Sequence, residues 1–250
     1  MQHRQEKRLV AGSGRIKLSE IFTSIEGEGI LFGTKTMFVR LAGCPLNCHW
    51  CDTSYAIPMD SGGDFSTSEV EEMIAGELLP NTYKVNFTGG EPLVQHEAVI
   101  ELAKFVKAKG IRTYLESACY DSVRFTKVLP YIDLVKIEFK MRDSKAVEDK
   151  NYSTLLKNEL ECLKLAVKAG KNPYIKIVVT NSTDEGELKD LVKKVFAAVN
   201  ERDVAGFIIQ PSSSVDEPLL DRLFAFYDAI YPHYEQVRVV PQLHKVIGAR

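Results

Sequence analysis

The stretch Thr36-Met37-Phe38-Val39-Arg40-Leu41-Ala42-Gly43-Cys44-Pro45-Leu46-Asn47-Cys48-His49-Trp50-Cys51-Asp52-Thr53 decides how the whole chain is read. Its first seven residues have strand character: Met37, Val39 and Leu41 share one face, and Phe38, Arg40 and Ala42 the other. A loop then carries three cysteines, with three residues between the first pair and two between the second. The C-terminal end of a barrel strand is where parallel-strand enzymes place their chemistry. Three thiolates on one short loop can hold three corners of an iron–sulfur cube, which leaves the fourth iron open to a small molecule. A structural zinc site of three cysteines and His49 stays open as an alternative, although His49 adjoins Cys48 and the two are poorly spaced for one metal. Chance clustering of buried thiols is the other alternative. The remaining cysteines, Cys119 and Cys162, read as small apolar residues. Five cysteines, an odd count, argue against a disulfide framework.

Outward from this stretch the pattern alternates. β-rich runs fall at 16–22, 36–42, 84–88, 111–116, 134–138, 175–179, 205–210 and 236–240. Helix-period segments separate most of them. Ser66 and Glu69 have capping-box spacing, and Val70, Met73 and Ile74 then share a face. His96 to Lys109 carries Val99, Leu102, Ala103 and Val106 and stops at Gly110, and Leu155 to Ala169 stops at Gly170. Segments 184–200 and 217–231, and more weakly 121–129, complete the set. Strand–helix alternation implies a parallel sheet with right-handed crossovers. Six units counted from Thr36, plus a lead-in strand, predict an α/β fold: a partial (β/α)6 barrel, open on one side. The longest polar, Gly/Ser-bearing stretch, 56–68, does not divide the chain. Residues 1–15 are expected to be a disordered tail and 16–250 one domain.

Strand alternation also marks the inner face. Asn86, Thr88, Glu116, Lys136, Glu138, Lys176 and Gln210 fall opposite Val85/Phe87, Leu115, Val135/Ile137, Ile175/Ile177 and Phe207/Ile209. A packed barrel would be aliphatic inside. Inward polar groups need partners, either a bound polar ligand or internal ion pairs such as Lys136 with Glu116. Agreement across so many strands favours the ligand.

Composition limits the function classes. The 250 residues are 45% apolar and 26% charged, ordinary for a soluble globular chain. No run approaches the ~18 apolar residues of a membrane span. Residues 1–14 are polar and basic, without the apolar core of a secretory signal, so a cytoplasmic location is expected. A net charge of −2 removes the footprint of a general nucleic-acid binder.

The Cys-x3-Cys-x2-Cys loop after a first barrel strand resembles the radical S-adenosylmethionine (SAM) superfamily. Thr88-Gly89-Gly90-Glu91-Pro92 resembles the superfamily's glycine-rich SAM motif. There the glycines would let backbone approach the methionyl amine, and Glu91 would add negative charge; a plain tight turn is the alternative for Gly89-Gly90. A narrower resemblance runs from residue 16 over nearly the whole chain. Ile25-Glu26-Gly27-Glu28-Gly29, Gly33, Phe38 through Cys44, Cys51-Asp52-Thr53 and Pro241-Gln242-Leu243-His244 are similar to the 7-carboxy-7-deazaguanine synthases.

That resemblance implies a homodimeric six-unit barrel. It implies conversion of 6-carboxy-5,6,7,8-tetrahydropterin to 7-carboxy-7-deazaguanine, with loss of ammonia, on the way to deazapurine nucleosides such as queuosine or archaeosine. A [4Fe-4S] cluster, SAM and Mg2+ are the implied cofactors. A 5′-deoxyadenosyl radical would take hydrogen from C6, the ring would contract, hydrogen would return and SAM would be regenerated. A flavodoxin or ferredoxin would supply the electron; no nucleic acid or membrane partner is implied. Residue by residue, Cys44, Cys48 and Cys51 match the cluster ligands and Thr53 the Mg2+ ligand. Ile25, Glu26, Gly27, Arg40 and Thr88 match substrate contacts. Trp50, Cys51, Asp52, Gly90, Glu91, Gln210, Pro211, Ser212 and Ser213 match SAM contacts. Arg40's inward position and bidentate fork suit a carboxylate, with an internal ion pair as its alternative. Glu116, Glu138, Lys140 and Lys176 are further inward candidates. The chain departs from the family at Glu26, often Gln, and at Glu138-Phe139-Lys140, often Ser-Pro-Lys. Two other functions remain at this point: a radical-SAM activase that makes a glycyl radical on a partner, and a non-catalytic zinc- or cluster-binding module.

Overall fold

A computed structural model describes residues 14–249. Residues 1–13 of the expected tail lie outside the described residues, and Arg15 already belongs to the first strand. The chain runs β1 (Arg15–Ile25), β2 (Lys35–Leu41), β3 (Gly63–Ser66), α1 (Thr67–Glu77), β4 (Lys84–Gly89), α2 (His96–Ala108), β5 (Arg112–Ser117) and α3 (Ser122–Val128). It continues through β6 (Leu134–Phe139), α4 (Asp149–Lys168), β7 (Tyr174–Val179), α5 (Glu185–Ala198), β8 (Gly206–Pro211), α6 (Leu220–Ile230), β9 (Val237–Val239) and α7 (Leu243–Ile247).

The strands form one sheet in the order β3-β1-β2-β4-β5-β6-β7-β8-β9. From β2 to β9 every pairing is parallel, and β1 pairs antiparallel with both β2 and β3. Each of β2, β4, β5, β6, β7 and β8 is followed by a helix, giving the expected six units; β3 and β9 are the two edges, so the barrel is partial. Met37, Val39, Leu41, Val85, Phe87, Leu115, Ile137, Ile175, Ile177, Phe207 and Ile209 pack outward into one core with Ile74, Leu102, Val106, Phe125, Leu163, Val192 and Ile230 of the helices. Burying one such side chain contributes about 1.5–3 kcal/mol.

Most boundaries fall where the sequence put them. Ser66 caps α1 through Glu69 N, and Glu69 reaches back to the Ser66 N–H, completing the capping box. Three elements differ. α7 lies past the last segment read as a helix. β3 lies within the stretch taken as a loop, because its order comes from pairing with Arg15–Leu18 and not from its own Gly-Asp-Phe-Ser composition. α4 begins at Asp149, before the apolar period at Leu155 becomes visible, since its first turn is polar and only Tyr152 is buried there.

Candidate active site at the open end of the barrel

β2 ends at Leu41, and Gly43, at φ +96, turns the chain into the cysteine loop. Backbone bonds seat that loop on two others. Gly43 N–H donates to Ala56 O at 2.8 Å and Cys44 N–H to Ile57 O at 2.9 Å. Asn47 N–H donates to Ala146 O at 2.9 Å and His49 N–H to Ser144 O at 2.7 Å. Cys44, Cys48 and Cys51 are free, partly buried thiols bordering one cavity of about 380 Å³. Cys44 and Cys48 pack against the buried cluster of Leu46, Ala146 and Leu155, as do Ala118 and Tyr120. Burial, with the Glu91 charge, pushes the Cys44 thiol up to about 12. Burial also raises Cys48, against the pull of the Lys140 ammonium. Binding a metal cluster here must therefore expel thiol protons. His49 is exposed and does not border the cavity, which removes the fourth ligand of a zinc site. Among the described residues no three His, Cys, Asp or Glu side chains converge on a point as one ion requires; in an iron–sulfur cube each thiolate serves a different iron.

The Gly89-Gly90 turn closes beneath this loop. Gly89 has φ +150, and a Cβ there would lie 2.1 Å from Leu41 O; at Gly90 it would lie 2.6 Å from Gly43 O. Gly90 N–H donates to Leu41 O and Glu91 N–H to Gly43 O. The glycines are thus needed for the chain's own backbone to meet at the base of the cysteine loop. Glu91 differs from the expectation of a charge offered to a ligand. Its carboxylate accepts from Leu93 N–H (2.9 Å), Ser117 Oγ (2.8 Å) and Ala118 N–H (2.7 Å), tying β4 to the end of β5. Burial raises its pKa against those bonds.

The inner face holds both things the sequence left open, a cavity and an ion-pair network. Lys136 Nζ lies 2.7 Å from Glu138 and 3.6 Å from Glu116. Lys176 Nζ lies 3.2 Å from Glu138 and 2.6 Å from Glu28, and Lys140 pairs with Glu138. Burial works against ionisation of Glu138, but Lys136, Lys140 and Lys176 outweigh it and hold that carboxyl well below the usual range. Glu28 behaves likewise, with Lys176 and Lys136 overcoming burial and bringing it to about 2. Asn86 donates to Glu116 at 2.9 Å.

Segment 26–31 packs on the starts of β7 and β8. A Cβ on Gly29 would lie 2.2 Å from the Tyr174 hydroxyl, and Ile30 packs against Gly206. Glu26 borders the cavity, but its carboxylate turns into the floor, 2.8 Å from the fully buried Lys84 Nζ. Burial and the Glu116 charge lift Glu26 to about 7 despite Lys84. The C-terminal segment straps this loop down. Leu243 N–H donates to Gly27 O at 2.8 Å. Gln242 Nε2 donates to Glu28 (2.8 Å) and Asp52 (3.0 Å), and its Oε1 accepts from Ser213 Oγ at 2.6 Å.

Every candidate site residue named from the sequence borders this one cavity: Ile25, Glu26, Gly27, Arg40, the three cysteines, Trp50, Asp52, Thr53, Thr88, Gly90, Glu91, Glu116, Glu138, Lys140, Lys176 and Gln210 through Ser213. Arg40 is paired, with Nε 2.8 Å from Glu20 Oε1. Thr53 Oγ1 is 3.8 Å from Cys51 Sγ. Gln210 Oε1 is buried with no hydrogen-bond partner among the described residues. Sequence reasoning gave no role to Glu20, Tyr55, Glu28, Lys84 or Gln242. Glu28 and Gln242 stood inside the matched motifs, so the motifs themselves were the signal. Glu20 and Lys84 become legible only once strand register is known.

The chain is similar to known proteins in sequence and in fold. The family model described as a 4Fe-4S single cluster domain matches residues 25–160. The 7-carboxy-7-deazaguanine synthase of Methanocaldococcus jannaschii is 32% identical over 92% of this chain and 99% of its own length. Among solved structures, QueE from Escherichia coli superposes with a TM-score of 0.63 at 20% identity, covering 92% of this chain and 95% of that one. A domain of the pyruvate-formate lyase-activating enzyme from Bacteroides vulgatus superposes at 0.51, with 19% identity over 62% of this chain and 98% of that one. At such identities the two structures bear on the fold alone.

Proposed function

The chain belongs to the 7-carboxy-7-deazaguanine synthase family of radical-SAM enzymes, and from that premise we propose that it converts 6-carboxy-5,6,7,8-tetrahydropterin to 7-carboxy-7-deazaguanine with release of ammonia and with Mg2+ as an aid. The observation that carries the proposal is the gathering of three free thiols, the Gly89-Gly90 turn and Arg40 around one polar cavity. Relatives bearing the synthase name along the chain's whole length weigh against the glycyl-radical activase, whose representative shares only the fold. The match to a cluster-domain family and the outward placement of His49 weigh against a zinc module.

The residues fit the implied cofactors. Cys44, Cys48 and Cys51 would hold the [4Fe-4S] cluster, with Leu46, Ala146 and Leu155 packed against two of the cysteines. The chemistry that the cluster would supply there is one-electron reduction of SAM. Backbone at Gly90 and the partnerless Oε1 of Gln210 would bind SAM beside it. Thr53 would give Mg2+ one neutral oxygen, so substrate and water oxygens must complete its shell. Arg40 would grip the substrate carboxylate through its guanidinium fork. Glu28 places a carboxylate in the same wall, suited to the N–H groups of an aminopyrimidinone ring. The ion pairs of Lys136, Lys176, Glu138 and Glu28 join β6, β7 and segment 26–31 along one wall, and Gln242 ties that segment to Asp52 and Ser213. Position and shielding are the protein's main contributions to a radical rearrangement.

Homodimerisation, a cytoplasmic setting and a flavodoxin or ferredoxin donor belong to the same proposal. No helix among the described residues is long and apolar enough to cross a membrane. Anaerobic incubation with SAM, dithionite, Mg2+ and the carboxypterin is expected to yield 7-carboxy-7-deazaguanine and ammonia. A cluster-loaded, SAM-cleaving protein that yields neither would contradict the substrate assignment.

A further inference from the structure

β1 and β2 pair with an irregularity between Leu18 and Glu20. Leu18 lies opposite Leu41, and the next paired residues are Glu20 and Arg40, so Ser19 is an extra residue in β1. A regular ladder continued from Leu18 would set Ser19 against Arg40 and turn Glu20 to the apolar outer face. The bulge re-aims the strand. Glu20 then shares the inner face with Arg40, while Ile21 pairs with Val39 on the core side. One residue further along the inner face, Phe22 and Phe38 stack at 4.9 Å, and Phe22 lies under the Arg40 guanidinium at 5.9 Å.

The bulge has a chemical consequence. Glu20 Oε1 takes Arg40 Nε at 2.8 Å, and Tyr55 donates its hydroxyl to the same oxygen at 2.7 Å. Both ion-pair side chains are 14% exposed, so the pair is shielded enough to hold its geometry. With Nε occupied, the side-on docking mode of the guanidinium is used up. Its two Nη groups have no hydrogen-bond partner among the described residues, and Arg40 borders the cavity. The mode left open is the end-on fork, two parallel N–H donors spaced for one carboxylate. Tyr55 sits two residues beyond Thr53, so the same contact joins the anchor to the cysteine loop.

We propose that Glu20, steadied by Tyr55, is the positioning residue that presents the Arg40 fork to the cavity and so makes the site select a ligand bearing a carboxylate. The inference rests on the substrate assignment above and adds to it the device that enforces the carboxyl group. Glu20 touches Arg40 and not the reacting atoms; its effect is on discrimination between ligands.

The test measures anaerobic binding of two ligands to the cluster-loaded protein with SAM: 6-carboxy-5,6,7,8-tetrahydropterin and the tetrahydropterin without its carboxylate. The readout is the ratio of their dissociation constants, which general loss of fold or loading does not move selectively. The unaltered protein should favour the carboxylated ligand, and Arg40→Met should abolish the preference. Glu20→Ala should cut the preference about tenfold, the scale of one hydrogen bond to a charged group, and Glu20→Gln, which keeps an acceptor for Nε, should restore most of it. Tyr55→Phe should cut it less than Glu20→Ala, and it serves if the alanine variant does not fold. If the unaltered protein binds both ligands alike, the substrate assignment fails and this inference with it. If Arg40→Met abolishes the preference while Glu20→Ala or Tyr55→Phe leaves it whole, the substrate assignment stands and the positioning role of Glu20 is overturned.

Discussion

At the scale of single residues, Glu26 makes the sharpest solution prediction. Burial and Glu116 raise its carboxyl from 4.5 to about 7. Between those values the folded chain holds a proton that the unfolded chain has released, so this site's contribution to stability falls as pH rises through that window. Glu26→Gln, the family's frequent residue, is expected to flatten the fall in thermal midpoint between pH 4.5 and 7, whatever it does to the midpoint itself. A scan in which the variant keeps the full slope contradicts the account. Lys84 is the other half of this pair and is fully buried. Lys84→Met removes the charge that lowers Glu26, so the carboxyl should stay protonated to higher pH and the fall in thermal midpoint should move upward in pH; a fall that keeps its place would show that Lys84 does not hold Glu26. Neither property was legible beforehand. The motif located Glu26 near the substrate, but only the register of β4 beside β2 brings Lys84 beneath it.

At the scale of elements, the turn after β4 and the C-terminal strap hold the site together. A Cβ at Gly90 would press on Gly43 O and Ala56 O, both backbone atoms that cannot swing aside. Gly90→Ala is expected to cost about 1–3 kcal/mol and to lower iron content after reconstitution, because the strain falls at the base of the cysteine loop. Full iron loading at unchanged stability would show that the turn does not seat the loop. Gln242 links segments 26–31, 51–53 and 210–213 through three hydrogen bonds. Gln242→Ala should speed hydrogen exchange in those three segments and leave α1 and α2 unchanged; uniform exchange would remove its role as a strap. Elements of strong local signal were readable from the chain alone: the capping box of α1, the glycine stops of α2 and α4, and the alternation of β2. β3 and the first turn of α4 were not, since their order comes from partners distant in sequence.

At the scale of the whole molecule, one inner wall of charged side chains explains both the cavity and its acid sensitivity. Glu28 and Glu138 are held below 4.5 by lysines from β6 and β7. Their ionisation stabilises the fold above that value, and the contribution is lost as pH falls through the window below it, where the unfolded chain binds the extra protons. The thermal midpoint should therefore drop as pH falls below about 4.5, and less steeply in Lys176→Met. The polar inner face was legible from alternation in Asn86, Thr88, Glu116, Lys136, Glu138, Lys176 and Gln210, and so was the incomplete barrel. What alternation could not show is that ion pairs and cavity coexist, with Glu28 crossing from the lead-in segment to join them.

On this reading the three thiols at the open end of the barrel would hold a cluster with one iron left for SAM. Electron paramagnetic resonance of the anaerobically reconstituted, dithionite-reduced protein, recorded with and without SAM, tests it most directly. A [4Fe-4S]1+ signal that SAM reshapes, and that is lost when Cys44, Cys48 and Cys51 are all replaced by alanine, is the result expected. A protein that takes up no cluster, or a cluster signal indifferent to SAM, would contradict it.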